Sequence, residues 1–228
     1  MDERIGREDL APDAVRVAPG LLGARLVRRD AEGTVAVRLT EVEAYAGTRD
    51  PGSHAFRGPT PRTRIMFGPA GFLYVYFTYG MHWCANVVCG PDGEASAVLL
   101  RAGEVVAGHE LARSRRPAAR VDVDLARGPA RLASALGIGR DADGTDLCDD
   151  ASRIWLEPAS GRVAAVHVGP RVGVSGPGGE VGPFPWRFLL AGEASVSAYR
   201  AAHPRRRRGV EGGRLSTGTA TTATRSAP

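Results

Sequence analysis

Two acidic residues, Glu41 and Glu43, lie two positions apart in a segment that alternates as a β-strand does. Residues i and i+2 of a strand share a face, so the two carboxyl groups would be about 7 Å apart. Val35, Val37 and Leu39 precede them on the same predicted face, and a carboxylate there must be paired, solvated in a cleft or catalytic. Such a pair suits hydrolysis of a glycosidic bond. An edge strand whose acids face water would show the same spacing.

Aromatic residues are concentrated in a second segment, at Phe72, Tyr74, Tyr76, Phe77, Tyr79 and Trp83. Tyr74 and Tyr76 share a strand face, whereas Tyr79 stands beside Gly80 at the predicted tip of a hairpin. A protruding aromatic side chain near arginines can stack on bases or wedge between base pairs. A role in the core is the alternative for all six, and it is favoured for Phe72, Phe77 and Trp83.

Three polar residues lie where their chemistry needs a partner. Asn86 interrupts an apolar strand, so its amide must be hydrogen-bonded or face a pocket. Arg101 ends the apolar strand predicted over 95–102 and needs an anion or another polar partner. His54 lies in a loop, where a histidine is usually just a solvated side chain.

The elements that would position these residues are those of a mixed α/β chain. Hairpin strands are predicted at 24–29 and 34–44 and at 72–79 and 81–89, with a further strand at 95–102. Helices are predicted at 12–22, 104–116 and 128–136. Short strands are predicted at 154–157, 163–168 and 172–174, and a closing strand or turn at 186–190 and 194–199. Residues 1–11 are expected to be loose.

A long irregular segment, 47–71, separates the acidic strand from the aromatic hairpin. It contains Arg57, Arg62 and Arg64, and no acid occurs from 53 to 71. Loops of this length inside a compact domain are usually functional.

Composition bounds the class of protein. The 228 residues fit one globular domain with a hydrophobic fraction of 43%. The formal charge of +5 arises after residue 203, where six arginines meet one acid; the first 203 residues hold 24 arginines and 24 acids. Global charge therefore says little about nucleic-acid binding. We expect 204–228 to be a disordered basic and Ser/Thr-rich tail.

Arginine supplies all 30 basic residues, so the side chains offer no amine for a Schiff base. The three cysteines form no CxxC pair, and reduced buried thiols are expected. A metal site built from His82, Cys84 and Cys89 is the alternative. A separate motif suggests another way of binding DNA. The sequence LGIG at 136–139 follows a predicted helix, as in the turn of a helix-hairpin-helix motif that binds DNA.

The ordered motifs together resemble the alkyladenine, or 3-methyladenine, DNA glycosylase family. The resemblance runs from about Leu22 to Tyr199. Its motifs, in order, are TEVEAY at 40–45, SH at 53–54, TPRTR at 60–64, MF at 66–67, GFLYVY at 71–76, YGMHWCAN at 79–86, VLLRA at 98–102, GPARL at 128–132, LGI at 136–138, RVGV at 171–174 and PWRF at 185–188.

The resemblance implies a role for individual residues. Glu43 would be the general base that activates water, and Arg101 would hold that water or a neighbouring phosphate. The base pocket would comprise Tyr45, His54, Tyr76 and Asn86. Tyr79 would fill the gap left by the flipped nucleotide, and further DNA contacts would come from Arg62, Arg64, Met81 and His82.

The predicted elements indicate one mixed α/β (α+β) domain over residues 1–203, and the resemblance implies that it is built around a curved antiparallel sheet with a DNA-inserting β-hairpin. The predicted activity is a monofunctional glycosylase for alkylated purines, with deaminated purines as further candidates. We expect double-stranded DNA with damaged purines as partner, no cofactor or metal, a monomer and a cytoplasmic, nucleoid-associated location without a membrane span. The rivals are a glycoside hydrolase using Glu41 and Glu43 and a nucleic-acid-binding module without catalysis.

Overall fold

In a computed structural model, residues 4–78 and 80–202 are described, and they form one eight-stranded antiparallel sheet with short helices. The predicted mixed α+β class is thereby confirmed. The strands are β1 (Arg25–Asp30), β2 (Gly33–Tyr45), β3 (Leu73–Thr78), β4 (His82–Val88), β5 (Ala97–Ala107), β6 (Ile154–Glu157), β7 (Val166–Gly169) and β8 (Arg187–Leu190). The tail predicted over 204–228 lies outside the described residues.

Strand β2 is the centre of the sheet. The strand order is β3-β4-β5-β2-β1-β6, and β8 pairs with β2 and with β7. One edge of β2 pairs with β5, while the other edge pairs first with β1 and then, over Glu41–Glu43, with β8. The second half of β2 is therefore enclosed by strands that are distant in sequence.

Four helices flank the sheet within the described part of the chain: α1 (Arg7–Leu10), α2 (Ala14–Gly20), α3 (His109–Arg115) and α4 (Pro129–Ala135). Asp13 caps α2 by accepting hydrogen bonds from the amides of Val15 and Arg16. Pro129 begins α4, where its missing N–H costs no helical hydrogen bond. Apolar side chains of α2 and α4 pack in the main core, which fixes the helices on one face of the sheet.

Strand β2 changes phase at a double irregularity in its pairing with β5. Leu39 faces Gly103 and Glu41 faces Ala102, so Thr40 is an extra residue in β2. The next pair joins Val42 to Leu100, which makes Arg101 an extra residue in β5. Each inserted residue reverses the face that the following side chains occupy.

This bulge overturns the expected placement of the two acids. Val35, Val37 and Leu39 do point into the main core, but after Thr40 that core receives Val42 and Ala44. Glu41 and Glu43 therefore share the opposite face of the sheet, not the face of the three apolar residues. Strict alternation fails because the sequence does not mark where a bulge falls.

The helix predicted over 104–116 is too long at its start. Residues 103–107 continue β5 through pairing with β2, so α3 begins only at His109, and Arg101 lies inside a strand rather than at its end. Gly108 makes the turn between them with a φ of 73°, and a Cβ there would lie 2.2 Å from the carbonyl oxygen of Thr34. Pairing with a distant strand outweighs local helix propensity here.

Other segments show smaller differences from the sequence-based expectations. Residues 172 and 173 form a turn and 174 is irregular, so no strand lies there, and the strand predicted over 163–168 begins at 166 and ends at 169. Residues 7–10 are helical rather than loose. The segment 47–71 is irregular as predicted, with only the 3-10 turns Gly47–Arg49 and Arg64–Phe67. After α4 comes the three-residue 3-10 turn Arg140–Ala142 instead of a second helix, so the helix-hairpin-helix alternative is wrong.

The cysteines follow the expectation of free thiols. Cys84 and Cys89 are buried and Cys148 is half-buried. Within residues 4–78 and 80–202 no helix is long and apolar enough to cross a bilayer.

Candidate active site

A row of facing residues crosses five strands on the face of the sheet opposite the main core. It runs from Tyr74 through Asn86, Leu99 and Glu43 to Arg187, each directly paired with the next. Directly opposed residues share a face and interact as neighbours. The sheet thus collects polar side chains from 74 to 187 around Glu43.

The long segment 47–71 covers this face. A second apolar cluster joins Ala55 and Met66 of the segment to Tyr74 on β3 and Ala97 on β5. The chain turns into the segment at Gly47, whose φ is 54° and where a Cβ would lie 2.2 Å from the carbonyl oxygen of Ala95. Only glycine permits that approach, which folds the loop back over the row.

Glu41 is fully buried and fully engaged. Its Oε1 accepts hydrogen bonds from Nε of Arg101 at 2.8 Å and Nε of Arg187 at 2.7 Å. Its Oε2 accepts the amide N–H of Ser197 at 2.7 Å, and the Ser197 hydroxyl lies 3.0 Å from Oε1. Burial opposes ionisation, but Arg101, Arg187 and Ser197 outweigh it, and the pKa of Glu41 is lowered. Glu41 is therefore a fixed anion.

Glu43 is equally buried but less compensated. Its Oε1 accepts the amide N–H of Val172 at 2.6 Å, and its Oε2 accepts the Tyr45 hydroxyl at 2.8 Å. Arg101 approaches Oε2 only to 3.4 Å through Nη1. Burial raises the pKa of Glu43 above its ordinary value, against the opposing effects of Arg101 and the two hydrogen bonds.

Neighbouring carboxyl groups whose pKa values move apart take different chemical roles. Glu41 holds its charge for structure, whereas the raised pKa of Glu43 makes it a better proton acceptor.

Surface clefts of about 390 and 400 Å³ lie elsewhere, beside β1 and β6 and beside Trp83, and neither is lined by Glu41 or Glu43. Both carboxyl groups are enclosed by protein, where charges are screened less than in water.

Arg101 joins the two carboxyl groups. It is 5% exposed, and its guanidinium contacts Glu41, Glu43 and the Ser197 hydroxyl. The bulge in β5 gives its side chain this position. The predicted need of Arg101 for an anionic partner is confirmed.

Three of the four residues predicted for a base pocket are grouped together. The rings of His54 and Tyr76 meet edge-on at 4.6 Å between centroids, and Tyr76 lies 5.6 Å from Tyr74. Tyr45 adjoins this group: its hydroxyl donates to Glu43, and its pKa is raised first by burial and then by the charge of Glu43, with a smaller contribution from the Tyr76 hydroxyl. His54 is exposed, but its neighbours displace part of its water, and this desolvation, and then the charge of Arg62, lower its pKa. The group presents aromatic surfaces next to Glu43.

Asn86, the fourth residue of that prediction, is buried one strand farther along the row. Its Nδ2 donates to the backbone oxygen of Tyr74 at 3.1 Å, which meets the need for a hydrogen-bond partner. The amide lies on the same face as Glu43, with Leu99 between them.

The residues predicted to contact DNA are exposed but not all adjacent. The guanidinium of Arg62 lies 5.4 Å from the centre of the Tyr76 ring, beside the aromatic group. Arg64 is exposed in the 3-10 turn that follows. Met81, 67% exposed, and His82 lie at the end of the β3–β4 hairpin. Tyr79 lies outside the described residues, so its predicted insertion into DNA stays a prediction.

Sequence reasoning gave no role to five residues that build this site: Asp50, Arg171, Val172, Arg187 and Ser197. Arg187 stands between Trp186 and Phe188, and a charge in an apolar run was the signal that identified Arg101. The contribution of Val172 and Ser197 is largely through backbone amides, which no side-chain pattern reveals.

Comparisons with known proteins agree on one family. A family model described as methylpurine-DNA glycosylase matches residues 8–194. Proteins from Streptomyces avermitilis and Leifsonia xyli subsp. xyli are each 55% identical over 204 residues, covering 89% and 87% of this chain and 94% and 93% of theirs. A Nocardia farcinica protein is 54% identical over 199 residues, covering 85% of this chain and 90% of its own. All three are named "Putative 3-methyladenine DNA glycosylase".

Proposed function

The chain belongs to the methylpurine-DNA glycosylase family, and we propose that it releases alkylated purines from double-stranded DNA by hydrolysis of the base–sugar bond. One observation carries the mechanistic part: Glu43 is enclosed, has a raised pKa and adjoins an aromatic group. The names of the relatives support the substrate class. We further propose that the chain acts as a monomer.

In the proposed reaction, Glu43 accepts a proton from water while the water oxygen bonds to C1′ of the sugar. The bond between C1′ and the purine nitrogen breaks, and its electron pair leaves with the base. Arg101 stays protonated and can hold the water or a nearby phosphate oxygen. The products are the free base and an abasic sugar in an unbroken strand.

The aromatic group would receive the base after it leaves the helix. Tyr45 and Tyr76 would stack on it, with His54 at its edge, and Asn86 would stand where it opposes the 2-amino group of normal guanine. Tyr79 would occupy the gap in the duplex, while Arg62, Arg64, Met81 and His82 would contact the DNA. Flipping costs a few kcal/mol and less for damaged bases, which favours lesions.

Charge explains why one catalytic carboxylate can suffice. An alkylated purine is already cationic, so it departs without prior protonation. A neutral deaminated purine needs a proton donor, and for that reason we propose it as a second, slower substrate class.

A glycoside hydrolase would need Glu41 as its second functional acid. Glu41 instead has a lowered pKa and bonds to Arg101, Arg187 and Ser197. A carboxylate held in this way is a poor proton donor, so the arrangement favours the glycosylase.

The decisive test uses a duplex containing one 7-methylguanine. We expect base release to leave an intact strand that breaks only after alkali or heat, and borohydride to trap no protein–DNA adduct. The reason is that strand cleavage by a glycosylase needs an amine that attacks C1′, and the sequence has no lysine. Arginine cannot replace it, because its guanidinium stays protonated.

Three outcomes of that test would contradict the proposal. Bound but unaltered duplex would indicate a binding module, and activity on sugars alone would indicate a glycoside hydrolase. A trapped adduct that disappears when the α-amino group is blocked would replace water with an amine as nucleophile. A lysine-dependent lyase assayed on the same duplex serves as the positive control for trapping.

The raised pKa of Glu43 predicts a pH dependence. Because the base must be ionised, release of cationic 7-methylguanine should slow as pH falls through a value above the ordinary glutamate pKa. Glu41, whose pKa is lowered, cannot produce this fall in rate, the acid limb of the pH–rate profile. Single-turnover rates measured from about pH 4.5 to 7 would locate it.

Protonation of His54 is the other source of such a limb, since its pKa is also shifted. We therefore expect the limb to stay at the same pH in His54→Asn, whatever the rate of that variant. A limb that disappears with His54 would assign the titration to the histidine.

A further inference from the structure

Arg171 is a buried cation that ties three segments of the site together. It is 1% exposed. Its Nη1 donates to Ala44 O at 2.9 Å and to Oδ2 of Asp50 at 2.5 Å. Its Nη2 donates to Oδ1 of Asp50 at 2.7 Å and to Gly178 O at 2.6 Å. The bidentate pair with Asp50 therefore joins the end of β2, the turn after it and the 171–178 loop.

The same guanidinium lies against an aromatic wall. Its central carbon is 4.5 Å from the centre of the Tyr45 ring and 5.3 Å from the ring of Trp186. A cation over an aromatic face is attracted by the ring, most strongly when both are removed from water. This contact places Arg171 against one face of Tyr45, the residue whose hydroxyl donates to Glu43.

Arg171 is also next to the second group that bonds Glu43. The next residue in the chain is Val172, whose amide donates to Oε1 of Glu43 at 2.6 Å. Apart from Arg101, the two groups that bond Glu43 are thus a tyrosine in contact with Arg171 and the amide of the residue that follows Arg171 in the chain.

We propose that the Asp50–Arg171 ion pair is a positioning device that holds Tyr45 and the Val172 amide against Glu43 and keeps this wall of the pocket uncharged for a cationic base. This inference rests on the proposed function. Arg171 is behind the Tyr45 ring rather than in contact with substrate, so it is a positioning residue. Lysine could not replace it, since one ammonium cannot form the bidentate pair and the two backbone contacts.

The pair must be considered with every charge around Glu43. Glu43 faces Glu41 on its own strand, Arg101 from β5, Arg187 from β8, the hydroxyls of Tyr45 and Tyr76, and Arg171. Loss of the Arg171 charge leaves Asp50 uncompensated and makes the surroundings more negative. Loss of the Asp50 charge leaves Arg171 uncompensated and makes them more positive.

The test compares Arg171→Gln with Asp50→Asn in the full chain. We expect both variants to release 7-methylguanine about tenfold more slowly or worse, because misplacement of a site by about 1 Å costs up to 10²-fold. The acid limb of the pH–rate profile should move up in Arg171→Gln and down in Asp50→Asn, each by about one pH unit. At the pH of maximal rate, preference for cationic 7-methylguanine over neutral hypoxanthine should rise in Arg171→Gln and fall in Asp50→Asn.

Arg115→Met is the matched control, because Arg115 is 13% exposed and pairs with Asp30 and Glu32 away from the site. It should lose stability without moving the limb or the preference. If Arg171→Gln fails to fold, the downward shift in Asp50→Asn decides the matter.

Limbs that stay in place, or the same shift in Arg115→Met, would overturn the inference and leave the proposed function intact. A wild-type protein that releases neither base would overturn the proposed function itself.

Discussion

Replacement of Glu43 by Gln should reduce base release by about 10²–10⁴-fold, the usual contribution of a positioned general base. The amide keeps the shape of the side chain and can still accept a hydrogen bond from Val172 or Tyr45, but it cannot accept a proton from water. Single-turnover excision of 7-methylguanine measures the loss, and a gel-shift assay with the same duplex should show binding within a few-fold of wild type.

Stability provides the control for this variant. Because the pKa of Glu43 is raised in the folded protein, the native state binds its proton more firmly than the unfolded chain does. Above the ordinary glutamate pKa, ionisation of Glu43 therefore costs stability, so Glu43→Gln should unfold at the same or a higher temperature. Excision within tenfold of wild type would remove Glu43 from the role of base.

Replacement of Glu41 by Gln should have the opposite outcome, a loss of about 3–5 kcal/mol in the free energy of unfolding. The change removes the anion that Arg101 and Arg187 share. Because both arginines are at most 7% exposed, water cannot replace it. For a domain of this size the loss corresponds to a melting temperature lower by roughly 10 °C. Thermal and denaturant unfolding at neutral pH would measure it.

The sign follows from the lowered pKa of Glu41. Its ionised form adds stability at pH above the ordinary glutamate pKa, and that contribution is lost as pH falls through the lowered value. Glu104→Gln is the matched control: Glu104 also pairs with an arginine, Arg38, but it is 53% exposed and should contribute at most about 1 kcal/mol. Equal stabilities of the two variants would show that the buried ion pairs of Glu41 stabilise the protein no more than the exposed pair of Glu104 does.

The two variants test different functions of Glu41 and Glu43. The sequence does not distinguish these functions, because both residues are glutamates on one strand. Glu41 and Glu43 differ in their neighbours: Glu41 has two close guanidinium groups, whereas Glu43 has one at 3.4 Å and two uncharged donors. We therefore expect activity to depend directly on Glu43, and on Glu41 only through the position of Arg101.

The sequence alone determined the local elements and the candidates for chemistry. Alternation and turn residues gave both hairpins, Pro129 marked the start of α4, and a charge in an apolar strand identified Arg101 as needing an anion. The ordered motifs indicated the family that the comparisons then showed. These features depend on neighbours in the chain, which a single sequence records.

Only the tertiary structure decided which side of the sheet the acids occupy and what surrounds them. The bulges at Thr40 and Arg101 arise from the register between β2 and β5, and nothing within either strand specifies that register. The partners of Glu41 and Glu43 come from residues as distant as Val172, Arg187 and Ser197. A pKa depends on burial and on charges close in space, so two acids of the same type on one strand were distinguished only when the chain had folded around them.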